Sequence, residues 1–405
     1  MNKDVKKIVP QLRFSEFEKE GEWKIKMLGD KDVSKIVMGS SPKSANYNTE
    51  GKGLPLIQGN ADIKNRLSVP RIFTSEITKE CLIDDILLSV RAPVGTVAKS
   101  LHKACIGRGI SAIRTVKDNS QEYLYQWLIS YEPYWQDISQ GGAFDAVNSD
   151  DIKKVSIPFP SPKEQQKIAD CFSSLDEVIT AETEKLDLLQ DHKKGLLQQL
   201  FPAEGESQPK FRFPEFKDDG DWEETTLDEV ADYENGKAHE QEISDTGKYK
   251  VVNSKFISTE GEVVKFTDSA NLMANTGDIL MVLSDIPNGK AIAKCFYVDE
   301  DDTYTVNQRI CKITPTDIDN KFLFYIQNRN KYFLAFDDGV KQTNLRKETA
   351  LSFPFLKPKD PKEQEKIANC LTLADDLIKK QADKIESLQD HKKGLLQQLF
   401  PSIND

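Results

Sequence analysis

The chain has 405 residues, of which 38% are apolar and 30% charged, and its formal net charge is −11. Its length allows two or three domains, each large enough to bury a core. No apolar run approaches about 18 residues and no charged-then-apolar leader is present, so the sequence argues against a membrane span or secretory signal and favours a cytoplasmic protein.

The acidic surplus is unevenly distributed. Residues 31–160 hold 16 Lys and Arg against 14 Asp and Glu, and residues 230–359 hold 17 against 19. These two stretches together are neutral, so the whole −11 lies in the remaining 145 residues. A net negative charge usually argues against nucleic acid as a partner. Here the two neutral stretches remain free to carry local basic patches.

The first variable stretch reads as strands followed by a helix and a loop. DDILLSVRAPVGTVAKS (84–100) predicts a strand, a tight turn and a strand, and CIGRGISAIR (105–114) follows. An aromatic-rich helix is expected at QEYLYQWLISYEPYW (121–135). A polar loop, GGAFDAVNSDD (141–151), then precedes IPFP.

A long helix follows this domain. SPKE (161–164) supplies an N-cap, a proline at N1 and a glutamate at N3, which predicts a capping box, and DPKE (360–363) does the same in the second half of the chain. Apolar residues then recur at heptad spacing. They are Ile168, Phe172, Leu175, Ile179, Leu186, Leu189, Leu196 and Leu200.

The second half repeats this order. GDILMVLSDIPNGKAIAKC (277–295) predicts strand, turn and strand, VNQRICKIT (306–314) follows, and an aromatic helix precedes the polar loop DDGVKQTNLRKE (337–348). Counting back from the proline of IPFP and of FPFLKP places Asn148 over Asn344. The second long helix has its seam at Ile367, Leu371, Ala374, Ile378, Ile385, Leu388, Leu395 and Leu399.

The chain is a tandem duplication. Residues 162–202 align with 361–401 without a gap, with 25 of 41 positions identical, and PQLRFSEFEKEGEW (10–23) lies over PKFRFPEFKDDGDW (209–222). The predicted fold is therefore two versions of one mixed α/β domain and two long helices, most economically paired with each other. The predicted segments are 1–160, 161–202, 203–359 and 360–405.

Polar residues interrupt both seams at matching places, where they can fix register. They are Glu182 and Lys193 in one helix and Gln381 and Lys392 in the other. Gly195 and Gly394 would end each helix or, as we prefer, lie within a continuous helix at a close contact.

The last part of each long helix is duplicated without change. Residues 189–202 match their counterparts at every position, including polar ones that a two-helix seam would not constrain. One interpretation is an identical docking surface for two copies of one partner, and the other is a recent duplication. The candidate partner-binding residues are His192, Lys194, Gln198, Gln199, His391, Lys393, Gln397 and Gln398.

Several motifs in this order resemble one known family. They are GSSPKSANYNTEGKGLPLIQGNADI (39–63), DILLSVRAPVG (85–95), IGRGISAIR (106–114), NQRI (307–310), and IPFPSPKEQQKIAD (157–170) with its echo PKEQEKIAN (361–369). With the two-fold plan, they make the chain similar to the DNA-specificity subunit of type I restriction-modification systems.

The resemblance implies two target recognition domains, each reading one half of a split site on double-stranded DNA. They would be held apart by the two conserved helices, packed antiparallel as an intramolecular coiled coil with pseudo-two-fold symmetry. It also implies two docked methyltransferase subunits that bind S-adenosylmethionine, and two motor-nuclease restriction subunits that use ATP and Mg²⁺. The chain itself would hold no cofactor or metal.

Arg or Lys reads guanine and Asn or Gln reads adenine, whereas Ser, Thr and Lys also hold phosphates. On glycine-rich loops of the first domain the candidates are Ser41, Lys43, Gln58, Asn60, Arg91, Arg108 and Asn148. In the second domain they are Lys237, Asn253, Asn288, Lys290, Gln308, Arg309, Lys341, Gln342 and Asn344.

Structural alternatives stand beside these assignments. Arg91 and Arg108 are equally well interpreted as ion partners of a nearby Asp, whereas Asn288, followed by Gly289, is more often only a hairpin-turn residue. The loop 337–348 is equally well read as a solvated connection.

Catalytic motifs are missing from the sequence. It contains no phosphate loop, no methyl-donor or target-base motif and no HExxH or deaminase zinc motif. The six cysteines form no CxxC pair and are expected to be reduced. We therefore expect a non-catalytic chain. The rival hypotheses are a coiled-coil scaffold with two protein-binding domains and a nuclease with scattered carboxylates, such as Asp62 near Lys64.

Overall fold

A computed structural model describes residues 8–135, 146–239, 242–286 and 289–401. The chain divides into two compact units, the first formed by Met1–Glu184 with Asp383–Asp405 and the second by Lys185–Ala382. Each long helix therefore contributes its N-terminal part to one unit and its C-terminal part to the other.

The first unit is built on two mixed sheets. Its strands are β1 (Lys24–Met27), β2 (Ser34–Met38), β3 (Tyr47–Asn48), β4 (Leu54–Ile57), β5 (Ile63–Lys64), β6 (Leu67–Ser68), β7 (Ile72–Thr74), β8 (Glu80–Cys81), β9 (Ile86–Ser89), β10 (Val97–Lys99), β11 (Ala104–Ile106), β12 (Ile110–Thr115) and β13 (Ser156–Phe159). One sheet has the order β2-β12-β9-β10-β6-β5, the other β3-β7-β4-β11-β8, and β1 pairs with β13.

The second unit repeats the centre of this arrangement. Its strands are β14 (Glu223–Thr226), β15 (Ala231–Asn235), β16 (Tyr249–Val252), β17 (Phe266–Thr267), β18 (Met273–Ala274), β19 (Ile279–Val282), β20 (Ser284–Asp285), β21 (Cys295–Tyr297), β22 (Tyr304–Val306), β23 (Ile310–Pro315), β24 (Thr343–Asn344) and β25 (Pro354–Lys357). The sheet orders are β15-β23-β19-β21, β17-β16-β22-β18, β14-β25 and β20-β24. The predicted strand, turn and strand is confirmed in both units, because β9 pairs antiparallel with β10 and β19 with β21.

The aromatic-rich and long helices follow the predicted order, but the second aromatic-rich segment forms two short helices rather than one. The helices are α1 (Gln121–Ser130), α2 (Ser149–Lys153), α3 (Pro162–Leu200), α4 (Leu227–Val230), α5 (Ser254–Ser258), α6 (Asn320–Gln327), α7 (Lys331–Leu334), α8 (Lys347–Leu351) and α9 (Pro361–Leu399). Among the described residues, no helix combines the length and apolarity that crossing a membrane requires.

Both long helices run unbroken through their glycines, as predicted. Among the described residues no close contact is found at these glycines, because a Cβ added at Gly195 or Gly394 would meet nothing within 4 Å. Each glycine therefore costs helix stability, about 1 kcal/mol relative to alanine, without a packing reason in the described part of the chain.

Polar residues in the seams join the helices at matching places within each unit. In the first unit Lys392 Nζ lies 2.6 and 2.8 Å from the Asp176 carboxylate oxygens, and Lys384 contacts Glu182. The later residue of α3 contacts the earlier residue of α9, so the two helical parts of this unit run antiparallel. In the second unit the equivalent ion pair joins Lys193 to Asp375.

The duplicated helix ends fill similar sockets. In the first unit the Phe400 ring stacks on Phe172 at 5.9 Å between centroids and meets Tyr123 edge-on at 5.4 Å. In the second unit Phe201 packs on Phe322 at 5.4 Å and on Trp222 at 6.4 Å. Packing within the chain therefore explains the identity of the apolar positions in the duplicated stretch.

At each helix start only one of the two hydrogen bonds of the predicted capping box is observed, the one accepted by the N-cap side chain. Ser161 Oγ and Asp360 Oδ1 accept backbone N–H groups of the first turn, at 3.4 and 2.9 Å. The glutamates do not reach back to the N-cap. Glu164 instead accepts two hydrogen bonds from Arg13, and Glu363 accepts two from Arg212.

Candidate nucleic-acid interface

Three loops meet at one place in each unit, although they come from distant parts of the chain. In the first unit Ser40 N donates to Ile106 O and Gly107 N donates to Ile57 O, at 2.9 and 2.8 Å. These bonds join the loops that follow β2, β4 and β11. In the second unit Lys237 N donates to Val306 O, and Asn307 N to Val252 O, both at 3.0 Å. We call each set the loop cluster of its unit.

Glycine lets the backbones of a loop cluster touch. A Cβ on Gly39 would lie 2.1 Å from Gly107 O, and a Cβ on Gly236 would lie 2.0 Å from Asn307 O. Contacts this short exclude any side chain. The same closely packed backbone therefore underlies both clusters, whatever side chains project from it.

The loops that follow β9 and β19 join the clusters, because Val90 N donates to Gly109 O and Leu283 N donates to Arg309 O, both at 2.9 Å, and each of them pairs with a further loop. In the first unit Arg91 forms a bridge with Ala146 and Val147 N donates to Val90 O. In the second unit Ser284 pairs with Asn344, and Leu345 N donates to Leu283 O. Across the two units Val147 therefore matches Leu345, so Asn148 matches Arg346.

The predicted equivalence of Asn148 and Asn344 is thus wrong by two residues. The register of the short sheets explains the error. Ile25 pairs with Pro158 in the first unit, whereas Glu224 pairs with Leu356 in the second. Pro158 is therefore equivalent to Leu356, and Pro354 was the wrong reference point.

The cationic candidates of the first unit face solvent. Lys43, Arg91 and Arg108 are exposed, and within the described ranges none of their side-chain nitrogens forms an ion pair. The alternative that Arg91 and Arg108 pair with a nearby Asp is therefore not supported there. Three cationic side chains close to one loop cluster can contact DNA phosphates or guanine bases.

The other candidates of the first unit make internal contacts. Ser41 Oγ accepts a hydrogen bond from Arg108 N at 3.1 Å, and Gln58 Nε2 donates to the Tyr47 hydroxyl at 3.1 Å. Asn60 Oδ1 is buried and lacks a partner in the described part of the chain. Asn148 caps α2, accepting from Asp150 N and Asp151 N at 2.8 and 3.1 Å. Its side-chain oxygen is therefore already occupied.

The second unit presents a different set of side chains. Asn253 matches Gln58 but caps α5, because its side chain accepts from Phe256 N at 2.9 Å. Lys237, Lys290, Gln308 and Arg309 are exposed. Asn288 lies outside the described residues.

The loop 337–344 completes the second cluster. Lys341, Gln342 and Asn344 are all exposed there. Gln342 Nε2 donates to Ser284 Oγ at 2.6 Å and to Asn344 Oδ1 at 3.3 Å. The Gln342 and Asn344 side chains are thus held by hydrogen bonds within the unit.

Carboxylates near the first loop cluster have structural roles. Asp62 is 2% exposed; it accepts from Gln58 N at 2.8 Å and from Arg71 Nε at 3.0 Å. Glu76 accepts from Lys43 N and Asn46 Nδ2, and these hydrogen bonds lower the pKa of its carboxyl. Among the described residues no group of three potential ligands could hold a metal ion. Asp62 thus serves to hold the loops.

Sequence reasoning missed four residues at the clusters. Tyr47 holds Gln58, Ser284 holds Gln342, and Arg346 is exposed at the position equivalent to Asn148. His239 is 1% exposed; its Nδ1 bonds to Lys237 O at 2.8 Å and its Nε2 to Thr305 Oγ1 at 3.0 Å. Alignment of the two units by their strand register identifies Arg346 as the counterpart of Asn148. The other three residues are recognised only from contacts between separate segments of the chain.

The duplicated helix ends expose the same polar side chains in both units. His192, Lys194, Gln198 and Gln199 are exposed, as are His391, Lys393, Gln397 and Gln398. The backbone beneath them is also equivalent, because Leu12 N donates to Gln398 O and Phe211 N to Gln199 O, at 3.0 and 2.9 Å.

Comparison with known proteins gives one consistent family. The model for the type I restriction modification DNA specificity domain matches residues 20–191 and again 219–388. A putative type I restriction enzyme MjaX specificity subunit of Methanocaldococcus jannaschii is 34% identical over 180 residues, which are 44% of this chain and 42% of that protein. The chain thus aligns with less than half the length of that curated relative.

Solved structures share the fold. The S subunit of a type I restriction-modification system from M. genitalium matches with a TM-score of 0.62 at 17% identity, covering 98% of this chain and all of that one. A chain from a study of complex assembly in a type I R-M system matches with a TM-score of 0.56 at 17% identity, covering 94% and 98%. The family model covers most of the sequence in two copies, and the chain belongs to the type I restriction modification DNA specificity domain family.

Proposed function

We propose that this chain is the sequence-specific DNA-binding subunit of a type I restriction-modification complex, and that each unit reads one half of a split site on double-stranded DNA. One observation carries the proposal: the same cluster of loops occurs in both units but projects different side chains. A shared backbone suits a common way of binding the duplex, whereas different side chains suit different half-sites.

The chemistry of the complex is assigned to partner chains. Two methyltransferase subunits with S-adenosylmethionine would methylate adenine, and two restriction subunits with ATP and Mg²⁺ would cleave. The equivalent polar faces at residues 189–202 and 388–401 favour two copies of one partner, because an identical surface can accept an identical subunit. In this proposal the chain itself directs catalysis without performing it.

Mapping methylated adenines genome-wide tests the proposal. Cells that carry the three subunits should show one bipartite methylated sequence, which disappears when this chain is omitted. Exchange of residues 31–160 for another member's domain should change one half-site only. Methylation that is unchanged without the chain would refute the proposal, and a scaffold that binds only proteins would show no retention of specific DNA.

Alanine at Arg91 or Arg108 should weaken binding through one half-site. Each lost bidentate contact to guanine removes about 1–3 kcal/mol of discrimination, or roughly 5- to 150-fold. Fluorescence anisotropy with duplexes altered in one half-site at a time measures this loss. Lys103→Ala is the control, since Lys103 is an exposed lysine paired with Glu80 at 3.3 Å. An equal loss on every sequence would instead indicate a phosphate contact.

Helix length should set the spacer between half-sites. A seven-residue insertion in each long helix, within 172–188 and its counterpart 371–387, preserves the seam and adds ~10 Å at 1.5 Å per residue. The methylated sequence should then keep both half-sites and gain unspecified base pairs between them. An altered half-site with an unchanged spacer would contradict this expectation.

A further inference from the structure

A rigid turn in the second unit carries an unusually exposed apolar side chain. Asp338 Oδ1 accepts from Val340 N at 2.9 Å and from Lys341 N at 3.0 Å. Asp337 Oδ1 accepts from Gly339 N and from Thr343 Oγ1, both at 3.0 Å. The two N–H donors lower the pKa of the Asp338 carboxyl, so the charged form that holds the turn persists at neutral pH.

Val340, at the tip of this turn, is 76% exposed, the highest value among the large apolar side chains of the described residues. Ile286 lies in the loop that follows β20 and is 69% exposed. These two loops are joined where Ser284 pairs with Asn344. Apolar side chains held in water at a candidate interface suggest a ligand with an apolar group.

The same turn presents one hydrogen-bond acceptor and one donor. Gln342 Nε2 is already engaged with Ser284 Oγ and Asn344 Oδ1. No other contact of Gln342 Oε1 or Asn344 Nδ2 is found in the described part of the chain, and both residues are exposed. The pair thus offers one acceptor and one donor to solvent, at fixed positions.

In the major groove an A·T pair offers the adenine N6 donor, the N7 acceptor and the thymine methyl group. Gln342 Oε1 matches N6–H, Asn344 Nδ2 matches N7, and Val340 matches the methyl. Guanine would instead place its O6 acceptor against Gln342 Oε1. We propose that the turn Val340–Asn344 reads A·T pairs in the half-site of the second unit, an inference that rests on the proposed DNA-binding function.

Base analogues test this inference in the complex with the methyltransferase. In the half-site of the second unit, identified from the methylation map, each thymine is replaced by uracil, which lacks only the methyl group. One of these duplexes should bind about four-fold more weakly, because burial of one carbon group contributes roughly 0.8 kcal/mol to the binding free energy. The variant Val340→Ser should bind the thymine and uracil duplexes equally. Uracil in the other half-site is the DNA control.

A second pair of variants separates reading from folding. Asn344→Ala should lose preference for adenine over 7-deazaadenine, which lacks N7, at the same position, whereas Val263→Ser, at a valine 40% exposed in the same unit, should behave like the parent chain. Hydrogen exchange of the second unit shows whether each variant is folded.

The outcomes distinguish this inference from the proposed function. The inference is overturned if uracil has no effect at any position, if Val340→Ser remains as sensitive to uracil as the parent, or if the variants weaken all duplexes equally. The proposed function fails instead if the unaltered complex binds specific and scrambled duplexes alike.

Discussion

Replacing Arg212 by alanine is expected to lower the free energy of unfolding of the second unit by about 3–5 kcal/mol. The guanidinium donates to both oxygens of Glu363, with Nε and Nη2 each at 2.8 Å, and also to Gly220 O. The side chains of Arg212 and Glu363 are 7% and 1% exposed. Removal of the arginine leaves a buried carboxylate without its partner, which costs more than the loss of an exposed pair.

Hydrogen exchange of amides in the second unit measures this effect locally. The control is Lys366→Ala, because the Lys366 and Glu215 side chains are 46% and 44% exposed in the same unit. That pair should contribute about 0–1 kcal/mol. The double variant Arg212→Met with Glu363→Leu should recover much of the stability, since an apolar pair leaves no buried charge. Equal losses for the buried and exposed pairs would show that burial is not the cause.

The first unit provides an internal replicate. Arg13 Nε and Nη2 donate to Glu164 at 2.7 and 2.9 Å, and their side chains are 8% and 1% exposed. Arg13→Ala should therefore destabilise the first unit to a similar extent.

The glutamates in these pairs show how far sequence reasoning reaches. The helix starts were predicted from SPKE and DPKE, and the observed helices begin at Pro162 and Pro361. The local pattern favoured a capping box at Glu164 and Glu363 because it considers only neighbours in sequence. The arginines that bind them lie 151 residues away, and no local spacing reports such a contact.

Periodicity predicted the long helices well for a physical reason. A heptad seam repeats over many turns, so one misplaced residue cannot hide the pattern. Alignment of the variable domains depended instead on a single proline, which lies two residues earlier in β25 than in β13, so Asn148 was placed over Asn344 instead of its true counterpart, Arg346. Strand register, which the sequence does not display, resolves that difference.

The loop clusters were predicted in part. Glycine-rich motifs pointed to the segments around Ser41 and Arg108, and the structure joins these two through a hydrogen bond of 3.1 Å. Composition alone did not distinguish exposed side chains from those that cap helices, such as Asn148 and Asn253. That distinction depends on backbone geometry, because the same asparagine can cap a helix or face solvent.

Phe400→Ala is expected to destabilise the first unit by about 3–5 kcal/mol, the usual cost of removing a buried phenylalanine. Phe400 is 5% exposed, and its ring lies against Phe172 and Tyr123. The loss should appear as faster hydrogen exchange in α1 and in the first turns of α3, whereas amides of the second unit should keep their protection.

The equivalent residue of the second unit, Phe201, tests whether the destabilisation depends on burial. Phe201 occupies the matching socket but is only partly buried, so Phe201→Ala should cost less and should act on the second unit alone. Gln397→Ala, at an exposed neighbour of Phe400, should leave both units unchanged. Equal losses for the two phenylalanines would mean that burial does not determine the cost. Loss of protection in both units after either change would show that the sockets do not act independently, because each aromatic ring contacts residues of a single unit.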